Sequence, residues 1–226
     1  MIEVAGECEV KLFYKKKYFN SSMKFITFEG CDFCGKSTQI RLLKEYFETN
    51  NEKVFLTREP GGTDVAEKIR ELILSSKEIT DPLTEYLLIA AARKDHVDNL
   101  IKKKLQQGYY VLSDRFYDSS ICYQGYYKNL DINILKTIKE LTIGKFEPDL
   151  TFLIDIPEEE IEKRMIIKRT GNNIYDEKPK DFYKTIRSGY LTIAHNNIDR
   201  MFIIDGNKKI EGVNTQIIKI IKEKIL

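Results

Sequence analysis

A run of β-branched and aromatic residues, Lys24 to Glu29, breaks at Gly30 into Gly30-Cys31-Asp32-Phe33-Cys34-Gly35-Lys36-Ser37. Beyond Lys36, Ile40, Leu43 and Phe47 recur at spacings of three and four, and Asn50-Asn51 closes the segment. The order is therefore a buried strand, a glycine-bounded turn and an amphipathic helix. Few arrangements use such a turn. Its glycines let the backbone wrap an anion, and the first N–H groups of the helix point at that anion. Lys36 can then reach the outer oxygens of a phosphate chain, and the Ser37 hydroxyl suits Mg²⁺. The segment reads as a phosphate-binding loop.

The rest of the chain repeats the alternation. Short apolar runs at 54–57, 109–113, 150–154 and 201–204 read as strands. Between them, 64–75 and 134–143 read as helices. Asp81-Pro82 caps a long helix ending near Gln106, Pro157 starts another, and Val213, Ile217, Ile221 and Ile225 stripe the last. Strands separated by helices too long for hairpins require βαβ crossovers. The expected fold class is α/β, a five-stranded parallel sheet with helices on both faces. The sequence shows no repeat and no Ser/Gly/Pro linker, so residues 23–226 read as one domain. Residues 1–22 read as an N-terminal extension outside the fold.

Composition narrows the partners. With 37 Lys plus Arg against 35 Asp plus Glu, the chain lacks the basic excess usual in a general nucleic-acid binder. Its apolar runs fall short of the roughly 18–20 residues that cross a bilayer, and no export signal is visible, so a cytoplasmic location is expected. Four cysteines, Cys8, Cys31, Cys34 and Cys122, are too few and too unevenly spaced for a disulfide scaffold. Cys31 and Cys34 read as small residues accommodated in the loop, rather than as a redox pair or half of a zinc site. His96 and His195 read as helix-surface or partly buried residues rather than ligands.

Only nine of the 37 basic residues are arginine, so positions that use Arg invite the question of what needs its planar fork. Arg58, in Thr57-Arg-Glu-Pro-Gly-Gly-Thr63, follows the second strand. Arg115, in Asp114-Arg-Phe-Tyr-Asp-Ser-Ser-Ile-Cys-Tyr-Gln-Gly125, follows the third, and Arg93 sits on the helix between them. Ligands of open α/β sheets lie beyond the carboxyl ends of the strands, which places both segments beside the phosphate loop. A further group, Arg164, Lys168 and Arg169, leads into Gly171-Asn-Asn173 and is expected to form a lid segment over the phosphates. The bland alternative for Lys168 alone is an ordinary solvated helix end favoured by the dipole.

Phe28-Glu-Gly30, Gly35-Lys-Ser-Thr38, the Thr57–Thr63 string, Ala91-Ala-Arg93, Asp114-Arg-Phe116, Tyr123-Gln-Gly125 and Pro148-Asp-Leu150 together resemble the thymidylate kinase family, from about residue 23 onward. The resemblance implies a P-loop nucleoside monophosphate kinase fold. It also implies transfer of the γ-phosphoryl group of ATP to dTMP with Mg²⁺, usually in a homodimer. Gly30, Cys31, Asp32, Phe33, Cys34, Gly35, Lys36, Ser37, Thr38 and Asn207 are then expected around ATP. Ser37 and Asp32 fall beside Mg²⁺, with Asp32 also near the sugar 3′-hydroxyl. Arg58 and Arg115 would hold the dTMP phosphate and Arg93 the thymine. Glu59, Ile89, Ser119, Ser120, Tyr123 and Gln124 complete the nucleoside pocket. Lys36, Asp32, Arg115, Arg164, Lys168 and Arg169 form the expected catalytic set. The chemistry agrees, because a phosphate acceptor is already ionised near neutral pH and needs placement and positive charge rather than a strong base.

Three positions depart from the family pattern. Phe33 stands where relatives often carry Gly or Arg, which shifts the catalytic charge toward Arg164, Lys168 and Arg169. The Asp-Arg pair that relatives tend to carry near Asn173 is absent. Ile89 replaces an aromatic that would stack on thymine and so bears on base selectivity. Alternatives are another nucleoside or nucleoside monophosphate kinase, or a nucleic-acid-associated P-loop protein using Lys11–Lys17 as a basic arm. A guanine-nucleotide switch is disfavoured, since no Asn-Lys-x-Asp follows the loop.

Overall fold

The computed structural model describes residues 24–75, 79, 81–168 and 181–225. Five strands, β1 (Phe25–Glu29), β2 (Val54–Arg58), β3 (Tyr110–Asp114), β4 (Leu150–Asp155) and β5 (Met201–Asp205), form one sheet in the order β2-β3-β1-β4-β5. All pairings are parallel, with Phe28 opposite Asp114 on one side and Phe152 on the other. The carboxyl ends of β1, β2 and β3 therefore lie side by side, and the segments after each open onto one rim.

Strand alternation divides the core into two layers. Ile26, Phe28, Tyr110 and Leu112 pack with Ile40, Leu43 and Phe47 of α1 (Lys36–Thr49) and with Val213, Ile217 and Ile221 of α9 (Ile210–Lys224). Phe47 stacks on Tyr110 with ring centroids 4.1 Å apart. Phe25 and Val111 point the other way, onto Val97, Ile101, Phe116 and Ile143. Helices cover both faces, as the crossover rule requires.

The helices α2 (Asp64–Ser75) and α3 (Pro82–His96) start where the sequence reading puts them. Asp81 accepts a hydrogen bond from the Thr84 N–H at 2.7 Å and Pro82 occupies the first helical turn, so both start signals act together. The long helix is not uniform. It widens into a π-helical turn at Val97–Ile101 before α4 (Lys102–Gln106). A second π-helical turn, Ile121–Tyr127, follows α5 (Tyr117–Ser120), making helix of a segment the sequence marks only as the stretch beyond a strand.

Next come α6 (Ile132–Ile143), α7 (Glu158–Lys168) and α8 (Phe182–Asn196). Helix α8 is absent from the sequence reading, although Phe182, Ile186, Tyr190 and Ile193 form a buried stripe at helical spacing. The N-terminal extension, Cys8, Arg169 and Gly171-Asn-Asn173 lie outside the described residues, as does the Lys168 side chain.

Candidate active site

The phosphate loop joins β1 to α1. Gly30 has φ +136°, and a Cβ there would sit 2.6 Å from the Ile154 carbonyl oxygen and 2.9 Å from Cys34 Sγ, so no side chain fits. Phe33 takes a left-handed φ of 65° at the turn. The Lys36 ammonium is nearly buried and donates back to the carbonyls of Gly30 (3.1 Å) and Cys31 (3.0 Å). Cys31 and Cys34 are buried free thiols. Burial, with Cys34 beside it, pushes the Cys31 thiol up to about 12, so neutral pH leaves it unreactive.

Beyond the loop opens a cleft of about 630 Å³. Asp32, Phe33, Cys34, Gly35, Lys36, Ser37 and Thr38 line it from below, Arg58, Glu59, Asp114 and Arg115 from the β2 and β3 ends, and Arg164, Gly206 and Lys208 from the far side. Of the cations expected to face phosphate, Lys36, Arg58, Arg115 and Arg164 thus line one cavity. Arg164 bridges the cleft, donating to Gly206 O at 3.0 Å and Cys34 O at 3.4 Å, which ties α7 to the loop. Asn207 is exposed just beyond Gly206, with its N–H donating to the Asp205 side chain at 3.0 Å.

Arg115, at left-handed φ 72°, is the most constrained cation of the site. Its guanidinium donates to Asp32 Oδ1 (2.8 Å), Ser119 Oγ (3.1 Å) and Tyr190 OH (2.9 Å) and lies 5.1 Å from the centre of the Tyr123 ring. Burial works against its charge, but Tyr123, Tyr190, Asp32 and Glu29 around it prevail and hold it well above the ordinary value. Ser119 and Tyr190 hydroxyls in turn donate to Glu29 Oε2, at 2.6 and 2.9 Å, and the Phe116 N–H donates to Oε1 at 2.7 Å. Glu29 therefore turns the oxygen lone pairs of Ser119 and Tyr190 toward Arg115.

Glu29 is wholly buried. Burial, with Asp118 close by, pushes its carboxyl from 4.5 up to about 7 despite the opposing Arg115 charge. Between those values the folded chain keeps a proton that the unfolded chain releases, so stability falls as pH rises from 4.5 to 7. Thermal unfolding from pH 5 to 8 should show wild type losing on the order of 3 kcal/mol relative to E29Q, which keeps the shape but cannot titrate. Parallel curves would remove Glu29 from the titration.

A second buried cluster sits under the Thr57–Thr63 segment. Glu59 Oε2 accepts from Arg93 Nε at 2.6 Å, Oε1 lies 3.1 Å from His96 Nδ1, and Arg93 Nη2 donates to Ser120 Oγ at 2.9 Å. Burial pushes the Glu59 carboxyl up, but Arg93 and His96 outweigh it and keep it below the usual range. Ile89, Arg93, Ser120 and Gln124, expected from the sequence to line a nucleoside pocket, are buried, and Gln124 is held by Glu85 at 3.2 Å. Arg58 is exposed and pairs with Glu67 at 3.0 Å.

Four residues of the region escape the sequence reading. Arg70 lines the cleft and donates to the Pro60 carbonyl at 2.8 Å, yet an Arg on an amphipathic helix looks solvated in sequence. Asp114 accepts from Ser37 Oγ at 3.2 Å. Its place at a strand end one residue before Arg115 was the available signal. Tyr190 comes from the unread helix. His96, expected at a helix surface or partly buried, is fully buried between Glu59 and Thr57 because its two ring nitrogens both find partners. His195 lies on an exposed part of α8, in keeping with its reading.

The thymidylate kinase family model matches residues 28–217. A thymidylate kinase of Mycoplasma capricolum subsp. capricolum is 41% identical over 203 residues, covering 89% of this chain and 95% of the relative. One of Kosmotoga olearia is 41% identical over 195 residues, covering 86% and 93%. Among solved structures, a thymidylate kinase from Ehrlichia chaffeensis superposes with a TM-score of 0.70 at 36% identity, covering 88% of this chain and 97% of that one.

Proposed function

The chain belongs to the thymidylate kinase family, and from that membership and the geometry of the cleft we infer that it transfers the γ-phosphoryl group of ATP to dTMP, giving dTDP and ADP. The observation that carries the reading is the convergence on one cleft of the phosphate loop with Arg58, Arg115 and Arg164. An already ionised dTMP phosphate oxygen attacks, so the chain must align two polyanions and offset the charge on the transferring group. Lys36 and the loop N–H groups serve the ATP phosphates, and Arg58 and Arg115 the acceptor phosphate. Asp32 orients Arg115 from the loop side. Arg164 closes the adenine side of the phosphates, and Asn207 borders the base. Glu59, Arg93, Ser119, Ser120, Tyr123 and Gln124 shape the nucleoside pocket, with Ile89 against the base. Lys168 and Arg169 belong to the same catalytic group in this reading, as the charges of a closing segment.

Mg²⁺ fits the donor set. Ser37 and Asp114 present a hydroxyl and a carboxylate in contact at the cleft floor, and Mg²⁺ takes oxygen ligands with only one or two from carboxylates. These two residues would hold the ion, with Asp32 near it, and the bound ion would neutralise charge on the phosphates.

We place the catalytic domain at 23–226, supported by the span of the family match, with 1–22 preceding it. A homodimer accounts for α2, where Ala66 is buried while Val65, Leu72 and Leu74 are exposed, as is Leu87 of α3, the helix packed against it. Light scattering should return twice the chain mass. No helix among the described residues is long and apolar enough to cross a membrane, and we read the protein as cytoplasmic with no nucleic-acid partner. A coupled ADP assay across nucleoside monophosphates tests the whole: ADP release should depend on dTMP. Preference for another monophosphate, or salt-sensitive DNA binding without phosphoryl transfer, would overturn the reading.

A further inference from the structure

We propose that His96 is a positioning residue for dTMP binding, which fixes Glu59 and through it both Arg93 and the Thr57–Thr63 segment, an inference that rests on the function read above.

His96 has no exposed surface and makes two polar contacts in opposite directions. Its Nδ1 lies 3.1 Å from Glu59 Oε1 and its Nε2 lies 2.6 Å from Thr57 Oγ1. Glu59 is ionised and accepts only, so Nδ1 carries the proton. The other carboxylate oxygen takes the Arg93 Nε–H. One carboxylate is thus gripped from two sides by residues one helical turn apart on α3, Arg93 and His96. Without the histidine, Oε1 would lose its donor and the Glu59 carboxylate could rotate about its own axis, carrying Arg93 with it. The ring also sets the path of the segment. Gly62, at φ +93°, passes so close that a Cβ would lie 2.5 Å from Nε2, and its N–H donates to Glu67 at 2.8 Å. That packing places Arg58 and Glu59, both on the cleft wall, relative to Arg93. None of these contacts reaches the phosphate loop, so the effect should fall on dTMP and spare ATP.

Two substitutions divide the contacts. In H96N the amide nitrogen stands near Nδ1 and can still donate to Glu59. In H96Q it stands near Nε2 and serves Thr57 only. With the full-length enzyme, isothermal titration of dTMP and steady-state kinetics for both substrates should show H96Q raising the dTMP Kd and KM about ten-fold, the cost of one hydrogen bond to a buried charge. H96N should stay within about three-fold of wild type on the same basis. KM for ATP should be unchanged in both. Equal losses in H96N and H96Q, or a fall in kcat with both KM values unmoved, would overturn the proposal and leave His96 a packing residue. H96L, which removes both contacts, should raise the dTMP Kd at least as much as H96Q if it folds, and the Asn/Gln pair carries the test if it does not. A wild-type enzyme that releases no ADP with dTMP defeats the functional reading itself, an outcome distinct from the behaviour of the variants.

Discussion

Lys36→Met should lower kcat for dTMP phosphorylation by about 10²- to 10³-fold, the usual cost of removing one preorganised charge from a transferring group. The dTMP Kd should stay close to wild type, because the ammonium lies on the loop side of the cleft. Its position before substrate arrives explains the size of the effect. The Lys36 side chain is nearly buried and donates to Gly30 and Cys31 carbonyls, so the loop holds the charge in place and little reorganisation is needed when the ATP phosphates replace those carbonyls. Methionine preserves the length and apolar stem but leaves two carbonyls without that donor, which costs about 1–3 kcal/mol for each one left unsatisfied. The unfolding temperature must therefore be read beside kcat. A folded K36M enzyme that turns over within ten-fold of wild type would show that other cations carry the charge, with Arg164 the first to examine.

What could be read from the sequence follows from how local each signal is. The phosphate loop is legible because its demands are local. Gly30 must pass under Ile154 and Gly35 must open the helix, and both leave their mark on adjacent residues. The sheet is legible for a related reason, since buried parallel strands must be apolar throughout and βαβ units fix their hand. Tyr190 is not legible. It reaches Glu29 across 161 residues of chain, and nothing local to its helix names that partner. His96 fails differently. Helical spacing puts it near Arg93, but only the fold brings Glu59 and Thr57 to its two nitrogens. Asp114 and Arg70 fail because an acid beside a named Arg and an Arg on a helix each have an ordinary surface explanation. Residues that act through partners distant in the chain are the ones a single sequence hides.

Arg115 is where those distant partners meet, and Arg115→Lys should lower kcat/KM for dTMP by about 10²- to 10³-fold with the charge conserved. Three groups, Asp32, Ser119 and Tyr190, take hydrogen bonds from this one guanidinium, at 2.8, 3.1 and 2.9 Å. The planar fork meets them together. An ammonium on a flexible stem cannot reach the same three points, and a hydrogen bond involving a charged group is worth about 1.5–3 kcal/mol, so losing one or two gives the expected range. Lysine is also a controlled change. Both residues must adopt the same left-handed backbone at this position, so the difference between them reports the side chain rather than the strain. Arg115 also supplies the positive charge that restrains the Glu29 carboxyl. The Glu29 carboxyl should therefore be pushed further up in R115A, where that charge is gone, and stay nearly in place in R115K. A kcat/KM for dTMP in R115K within about three-fold of wild type would mean that charge alone suffices, and the geometric role assigned to the fork would fall.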